Sequence, residues 1–91
     1  MLFVCSHLED IGYIRYDFLK KKDLSISIAI KEKYKRHGYG KLMLIKTLNK
    51  KNIINKNIYA FVKMKNFTSK NFFLKMGFVK KKDGTYLLKH K

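Results

Sequence analysis

The spacing of apolar residues changes several times along the chain, and each change marks an element. Leu2-Phe3-Val4-Cys5 is a short apolar run that predicts a strand, followed by the polar turn Ser6-His7-Leu8-Glu9-Asp10. From Ile11 to Phe18 the pattern has a period of two. Gly12, Ile14, Tyr16 and Phe18 fall on one face, and Ile11, Tyr13, Arg15 and Asp17 on the other, as in a half-buried strand. A glycine inside such a strand implies that another backbone or a bulge comes close at Gly12. The lysine-rich segment 19–23 is short enough for a hairpin. Leu24-Ser25-Ile26-Ser27-Ile28-Ala29-Ile30 then returns as a strand with Leu24, Ile26, Ile28 and Ile30 on one face. Its other face holds only Ser25, Ser27 and Ala29, and small groups leave room for something to lie against them.

After Gly40 the spacing becomes helical. Leu42 and Ile45, joined by Leu44 and Leu48, recur at three and four residues and predict a helix over 40–48. An Asn-rich connection, 52–57, leads into the strand Ile58-Tyr59-Ala60-Phe61-Val62, which has β-branched and aromatic weight. A second helix is expected over 66–77. Asn66 or Thr68 caps its start, Phe72, Phe73 and Met76 give its apolar face, and Gly77 is placed to end it in a left-handed conformation. The segments 78–82 and 85–89 flank Asp83-Gly84, a two-residue hairpin signal.

The predicted order is strand, strand, strand, helix, strand, helix, strand, strand. Antiparallel strands lead into a helical crossover, which places the chain in the α/β or α+β class, with a mixed sheet covered by helices. Ninety-one residues suit a single domain spanning 1–91, because single domains typically run from about 50 to 250 residues. There is no internal repeat.

Composition changes the picture in three respects. The hydrophobic share of 46% supplies a core despite 31% charged residues, so the chain is a folding one, though small enough that dimerisation would help it. The net charge of +16 invites a nucleic-acid partner through counterion release. Nearly all of it is lysine, however, spread along the chain with only Arg15 and Arg36 suited to bidentate contacts, and neither an RNA-recognition aromatic motif nor a zinc site is present. Solvated lysines, or an anionic small ligand, fit this distribution better than nucleic acid. The single cysteine, Cys5, excludes an internal disulfide and fits a reducing, cytoplasmic setting. It has no acid or His partner at a recognisable spacing and reads as a small apolar residue. The run 1–5 is too short for a membrane span.

The stretch that carries chemistry is 26–45. A strand passes through the basic loop Lys35-Arg36-His37-Gly38-Tyr39-Gly40-Lys41 into an apolar helix. Such a junction presents unpaired backbone N–H groups and the positive end of a helix dipole at one point, which is an anion site. Gly38 and Gly40 allow phosphate oxygens close to the backbone. No hydroxyl follows Lys41 to hold magnesium, and the three glycines of a dinucleotide fingerprint are missing.

Ile28-Ala29-Ile30 followed by 35–42 resembles the acetyl-CoA-binding motif of the GNAT family of N-acetyltransferases, whose core is Arg or Gln, two residues, Gly, any residue, then Gly or Ala. Val62, Asn66, Ser69, Phe73 and Gly77-Phe78 are similar to the family's second motif, an Asn-led helix ending in Gly-Phe. The resemblance covers residues 1–89 and implies a GNAT-like, mostly antiparallel sheet with helices on it. It also implies direct acetyl transfer from acetyl-CoA to a primary amine. Lys35 stands at the Arg or Gln position and, with N–H groups from Arg36, His37, Gly38, Tyr39, Gly40 and Lys41, would hold the pyrophosphate. Ile28, Ala29 and Ile30 would pair with the pantetheine arm, along a strand that splays from its neighbour. Asn66, Ser69 and Phe73 would face the cofactor from the second helix.

Two departures from the family pattern bear on activity. Where many members carry a Tyr as general acid this chain has Phe73, and neither Ser25 nor Ser27 supplies a carboxylate base. Tyr39 and Ser69 are the remaining candidates for proton transfer, with His37 read as a loop or phosphate contact. At the front, the family's first strand and two helices, which shape the acceptor pocket, have no counterpart, and the resemblance leaves three readings open: a fragment, a truncated gene product, or a minimal member completed by a second copy or a partner subunit. The strand 12–17 with 26–28 is similar to members acting on amino groups of nucleotide-linked sugars, which gives Arg15 and Asp17 acceptor roles. A non-catalytic module that binds coenzyme A or a protein is the alternative.

Overall fold

The computed structural model describes residues 1–7 and 9–89 of the chain. Six strands, β1 (Leu2–His7), β2 (Glu9–Lys20), β3 (Asp23–Ile30), β4 (Asn57–Phe61), β5 (Val79–Lys82) and β6 (Thr85–Leu88), form one sheet in the order β1-β2-β3-β4-β6-β5. Two helices, α1 (Tyr39–Leu48) and α2 (Phe67–Lys75), complete the fold. Every adjacent pair is antiparallel except β3 with β4, which the α1 crossover makes parallel. The expected order of elements is the observed one, with a single 3-10 turn (Glu32–Tyr34) added after β3.

One buried cluster joins Ile14, Tyr16, Leu24, Ile26, Ile58, Ala60 and Tyr86 of the sheet to Met43 and Leu44 of α1 and Phe73 of α2. Both helices therefore cover the same face. The 18 Å short dimension of the molecule fits one sheet and one helical layer, leaving the opposite face of the sheet bare of helices among the described residues, although Thr85 and Leu87 of β6 are buried on it. Among the described residues no helix is long and apolar enough to cross a membrane.

Strand β1 extends to His7 and β2 begins at Glu9, so Ser6, His7, Glu9 and Asp10 of the expected turn are paired strand residues, and Leu8 lies outside the described residues. Cys5 is half-buried against the core, in keeping with its reading as a small apolar residue. Two irregularities revise the face assignment of β2. Ile11 has no partner between the pairs Cys5–Gly12 and Ser6–Asp10, and this bulge buries it to 1% exposure although strict alternation puts it on the outer face. Phe18, assigned to the core face, sits beside the second shift at the hairpin end and is 71% exposed. Gly12 is where both expected causes meet, since it adjoins the bulge and a Cβ there would run into the carbonyl oxygen of Ala29.

Helix α2 is bounded as its sequence implies. The Asn66 side-chain oxygen accepts from the Ser69 N–H at 3.1 Å. At the other end Phe78 N–H bonds to Phe73 O and Gly77 N–H to Leu74 O, a Schellman pair made possible by Gly77 at φ 95°. Helix α1 is rotated from expectation. Met43, Leu44 and Thr47 are buried, while Leu42 and Ile45 are each 46% exposed. Leu42, Met43, Leu44 and Ile45 are all apolar, so periodicity does not choose a face. A buried polar contact does: the Tyr16 hydroxyl lies 2.7 Å from Thr47 Oγ1, which in turn donates to Met43 O at 2.8 Å.

Burial pushes the Tyr16 phenol up from 10.0 to about 12, and the bond to Thr47 offsets only part of that. The raised folded value means that the neutral phenol stabilises the fold fully below pH 10, a contribution lost as pH rises toward 12. Tyr16→Phe should cost about 1 kcal/mol in urea unfolding, because Thr47 keeps its bond to Met43, whereas Thr47→Val should cost about 1–3 kcal/mol by stranding the buried phenol. Equal losses in the two variants would contradict the contact as described.

Candidate functional site

The site lies where β3 and β4 part. Their parallel ladder holds only Asp23–Asn57, Leu24–Ile58 and Ser25–Tyr59. Asn57 clamps its start, with its side-chain N–H₂ donating to Asp23 Oδ1 at 2.9 Å and its backbone N–H donating to Lys22 O at 2.7 Å. Past Ser25, β3 stays paired with β2 as far as Ile30, and β4 stays paired with β6 to Phe61. Residues 26–30 thus present a strand edge with no ladder on the β4 side. An unpaired edge of this kind is a template for an extended ligand.

Immediately after this edge the chain bends through the 3-10 turn and the basic loop into α1. Gly38 is the N-cap of α1 at φ 82°, with no side-chain cap, and the first helical bond is Leu42 N–H to Gly38 O. The N–H groups of Tyr39, Gly40 and Lys41 precede that ladder and point out of the helix end. Arg36 also takes a left-handed conformation, at φ 66°. Open space surrounds the position a Gly38 side chain would occupy. Gly40 differs: a Cβ there would lie 3.2 Å from the Phe72 ring. Gly38 leaves the start of α1 open, and Gly40 lets α2 pack against it.

Lys35, at the position expected to hold pyrophosphate, forms an exposed ion pair with Glu32 at 3.1 Å. Asn66 commits its oxygen to capping α2, leaving its two amide donors for a ligand, and Ser69 lies one turn from Phe72 on the same side of that helix. Phe73 is buried between Phe72 and Phe78, with ring centroids 5.3 and 5.0 Å away, so its ring is core packing. Tyr39 packs edge-on against Tyr34 at 5.9 Å with His37 at 6.3 Å. Arg15 and Asp17 pair with each other at 3.0 Å on the bare face of the sheet, beside Ser27 and Ser25.

Two groupings were not read from the sequence. Glu9 accepts from the Tyr34 hydroxyl at 2.5 Å and pairs with Lys33, tying the segment after β3 to the β1–β2 hairpin. These two partners hold the Glu9 carboxyl below its ordinary value, and Glu9 in turn raises the Tyr34 phenol. The separation of 25 residues carries no local signal. Tyr59 and Phe61 form the second grouping, turned outward by alternation with the buried Ile58 and Ala60, a period-two pattern that does announce it.

Residues 1–80 match the family description "Acetyltransferase (GNAT) domain". The chain belongs to the GNAT acetyltransferase family. No curated protein matches it. Acetyl-CoA is the acetyl donor that membership implies. The parted strands and the open Gly38 suit the extended arm and the diphosphate of that donor in this GNAT domain.

Because Glu9 raises the Tyr34 phenol, Glu9→Gln should return Tyr34 toward the ordinary tyrosine range, read by NMR titration of the tyrosine ring carbons. An unchanged Tyr34 titration would show that the contact does not hold in solution.

Proposed function

We propose that this GNAT domain transfers an acetyl group from acetyl-CoA to the primary amine of a small molecule, with an amino sugar as acceptor. The observation that carries the reading is the ladder between β3 and β4 stopping at Ser25–Tyr59, directly upstream of the uncapped start of α1. When bound, acetyl-CoA supplies a thioester whose C–S bond is exchanged for a C–N bond to the amine, with net movement of one proton from amine to released thiol.

The protein's part is binding, orientation and proton handling. The edge at Ile28, Ala29 and Ile30 pairs with the pantetheine arm and aims a strand N–H at the carbonyl oxygen, where charge develops. The N–H groups of Tyr39, Gly40 and Lys41, the dipole of α1, and Lys35, Arg36 and His37 hold the diphosphate. The Asn66 amide and Ser69 line the arm from α2. Ser69 is the candidate proton donor to the thiolate, since Tyr39 sits at the diphosphate end and the length of the arm separates it from the sulfur, and Arg15 with Asp17 orients the acceptor.

Phe73 favours a second reading, a binder of coenzyme A without turnover. It stands where many members carry the acid, and it has no proton to give. Turnover across a panel of amines and amino sugars decides between the two.

Gly38→Asp separates ligand binding from folding. Asp is among the few residues other than glycine that adopt the left-handed conformation, so the variant should stay folded at a cost of about 1–2 kcal/mol, while its carboxylate repels a diphosphate. Calorimetric titration with acetyl-CoA at low salt should show affinity falling by about tenfold or more, equivalent to about 1.4 kcal/mol. Undiminished binding would remove the loop from the site, and no binding by the unaltered protein would overturn the cofactor assignment.

A further inference from the structure

The acetyl-transfer reading leaves unused two aromatic rings beside the gap. Tyr59 and Phe61 project from β4 onto the bare face of the sheet, with ring centroids 6.2 Å apart and planes inclined by only 10°. Phe61 is 60% exposed, a large apolar surface left in water. Tyr59 pairs with Ser25 at the last rung before the strands part, so Phe61 stands on the far bank of the gap from Ser27 and Ala29. The near bank is polar. Ser27 adjoins Arg15, and Ser25 adjoins Asp17, in the β2–β3 ladder. Exposed Lys63 and Lys65 lie two and four residues after Phe61.

We propose that Tyr59 and Phe61 are the ring-binding wall of the acceptor site, selecting a primary amine carried on a ring with an anionic substituent, such as an amino-sugar phosphate. The inference rests on the acetyl-transfer reading for the position of the gap. A sugar ring has an apolar C–H face that packs on an aromatic face, and an edge of hydroxyls that needs hydrogen-bonding partners. The two banks supply these separately: π surface from β4, and two hydroxyls, a guanidinium and a carboxylate from β2 and β3. The lysines after β4, in a chain of net charge +16, attract the phosphate. A linear amine would use the polar bank and the lysines but leave the rings bare.

Galactosamine 1-phosphate and phosphoethanolamine carry the same two charged groups with and without a ring. In NMR titrations without acetyl-CoA, the sugar phosphate should shift the Tyr59 and Phe61 ring resonances saturably and bind more tightly than phosphoethanolamine. Phe61→Ala should weaken the sugar phosphate by about 2- to 10-fold with phosphoethanolamine unchanged, and Phe61→Tyr should retain its binding. Each variant's fold is checked by its amide spectrum, and Phe61→Leu, which keeps bulk without a π face, replaces Ala if that variant fails to fold. Equal affinity for the two probes, shifts confined to lysines, no saturable shift, or sugar binding unaffected at Phe61 would each overturn the wall. Acetyl-CoA calorimetry on the unaltered protein separates the two claims. Its failure removes the transfer reading, whereas donor binding without ring preference removes only the acceptor wall.

Discussion

The structure depends on a parallel pairing that is made for three residues and then abandoned. β3 and β4 are held together at Asp23–Asn57 and separate beyond Ser25–Tyr59, yet each strand remains paired on its other side. The sheet therefore opens without either strand losing its place. The cost is an interior edge whose backbone N–H and C=O groups lack a sheet partner, and such groups need water or a ligand. An acyl donor with an amide-bearing arm meets that need, which is why family membership and this geometry point to the same ligand. The outward rings of β4 flank the same opening.

Orienting the helix that the glycine loop leads into is a task for the core. Helix α1 is apolar around most of its circumference, so the hydrophobic effect holds it on the sheet without fixing its rotation. Thr47 supplies the direction. Its hydroxyl donates within the helix to the Met43 carbonyl at any rotation, whereas the contact with the Tyr16 phenol requires Thr47 to face the sheet, and that fixes the rotation of α1. Phe72 packed over Gly40 fixes the other end of the helix, and Glu9 with Lys33 and Tyr34 tethers the approach to it.

Most of the fold was legible because its signals are local. Alternation marked the strands, Asp83-Gly84 marked the last hairpin, and Asn66 with Gly77 bounded α2 as observed. The misses arose where a distant partner overrides a local pattern. Ile11 is buried because Cys5 and Ser6 pair around it, and Leu42 and Ile45 are exposed because Tyr16 selects Thr47. The candidate site was legible as a contiguous loop and a nearby helix start. What spacing did not reveal was how far the pairing of β3 with β4 runs, since that is set by the clamp at Asn57 and by what each strand pairs with on its far side.

The two glycines of the loop show why a motif and a structure carry different information. In the sequence Gly38 and Gly40 look equivalent, two small residues two positions apart in a basic loop. In the fold one faces open space at a left-handed φ, and the other faces an aromatic ring at 3.2 Å. Only Gly38 has the form of a ligand contact. Gly40 is where α2 meets α1, so a side chain there would disturb the site through Phe72 instead of by blocking the anion. A Gly-x-Gly spacing thus joins an open helix start at Gly38 to a packing requirement at Gly40, two demands that the spacing alone does not tell apart.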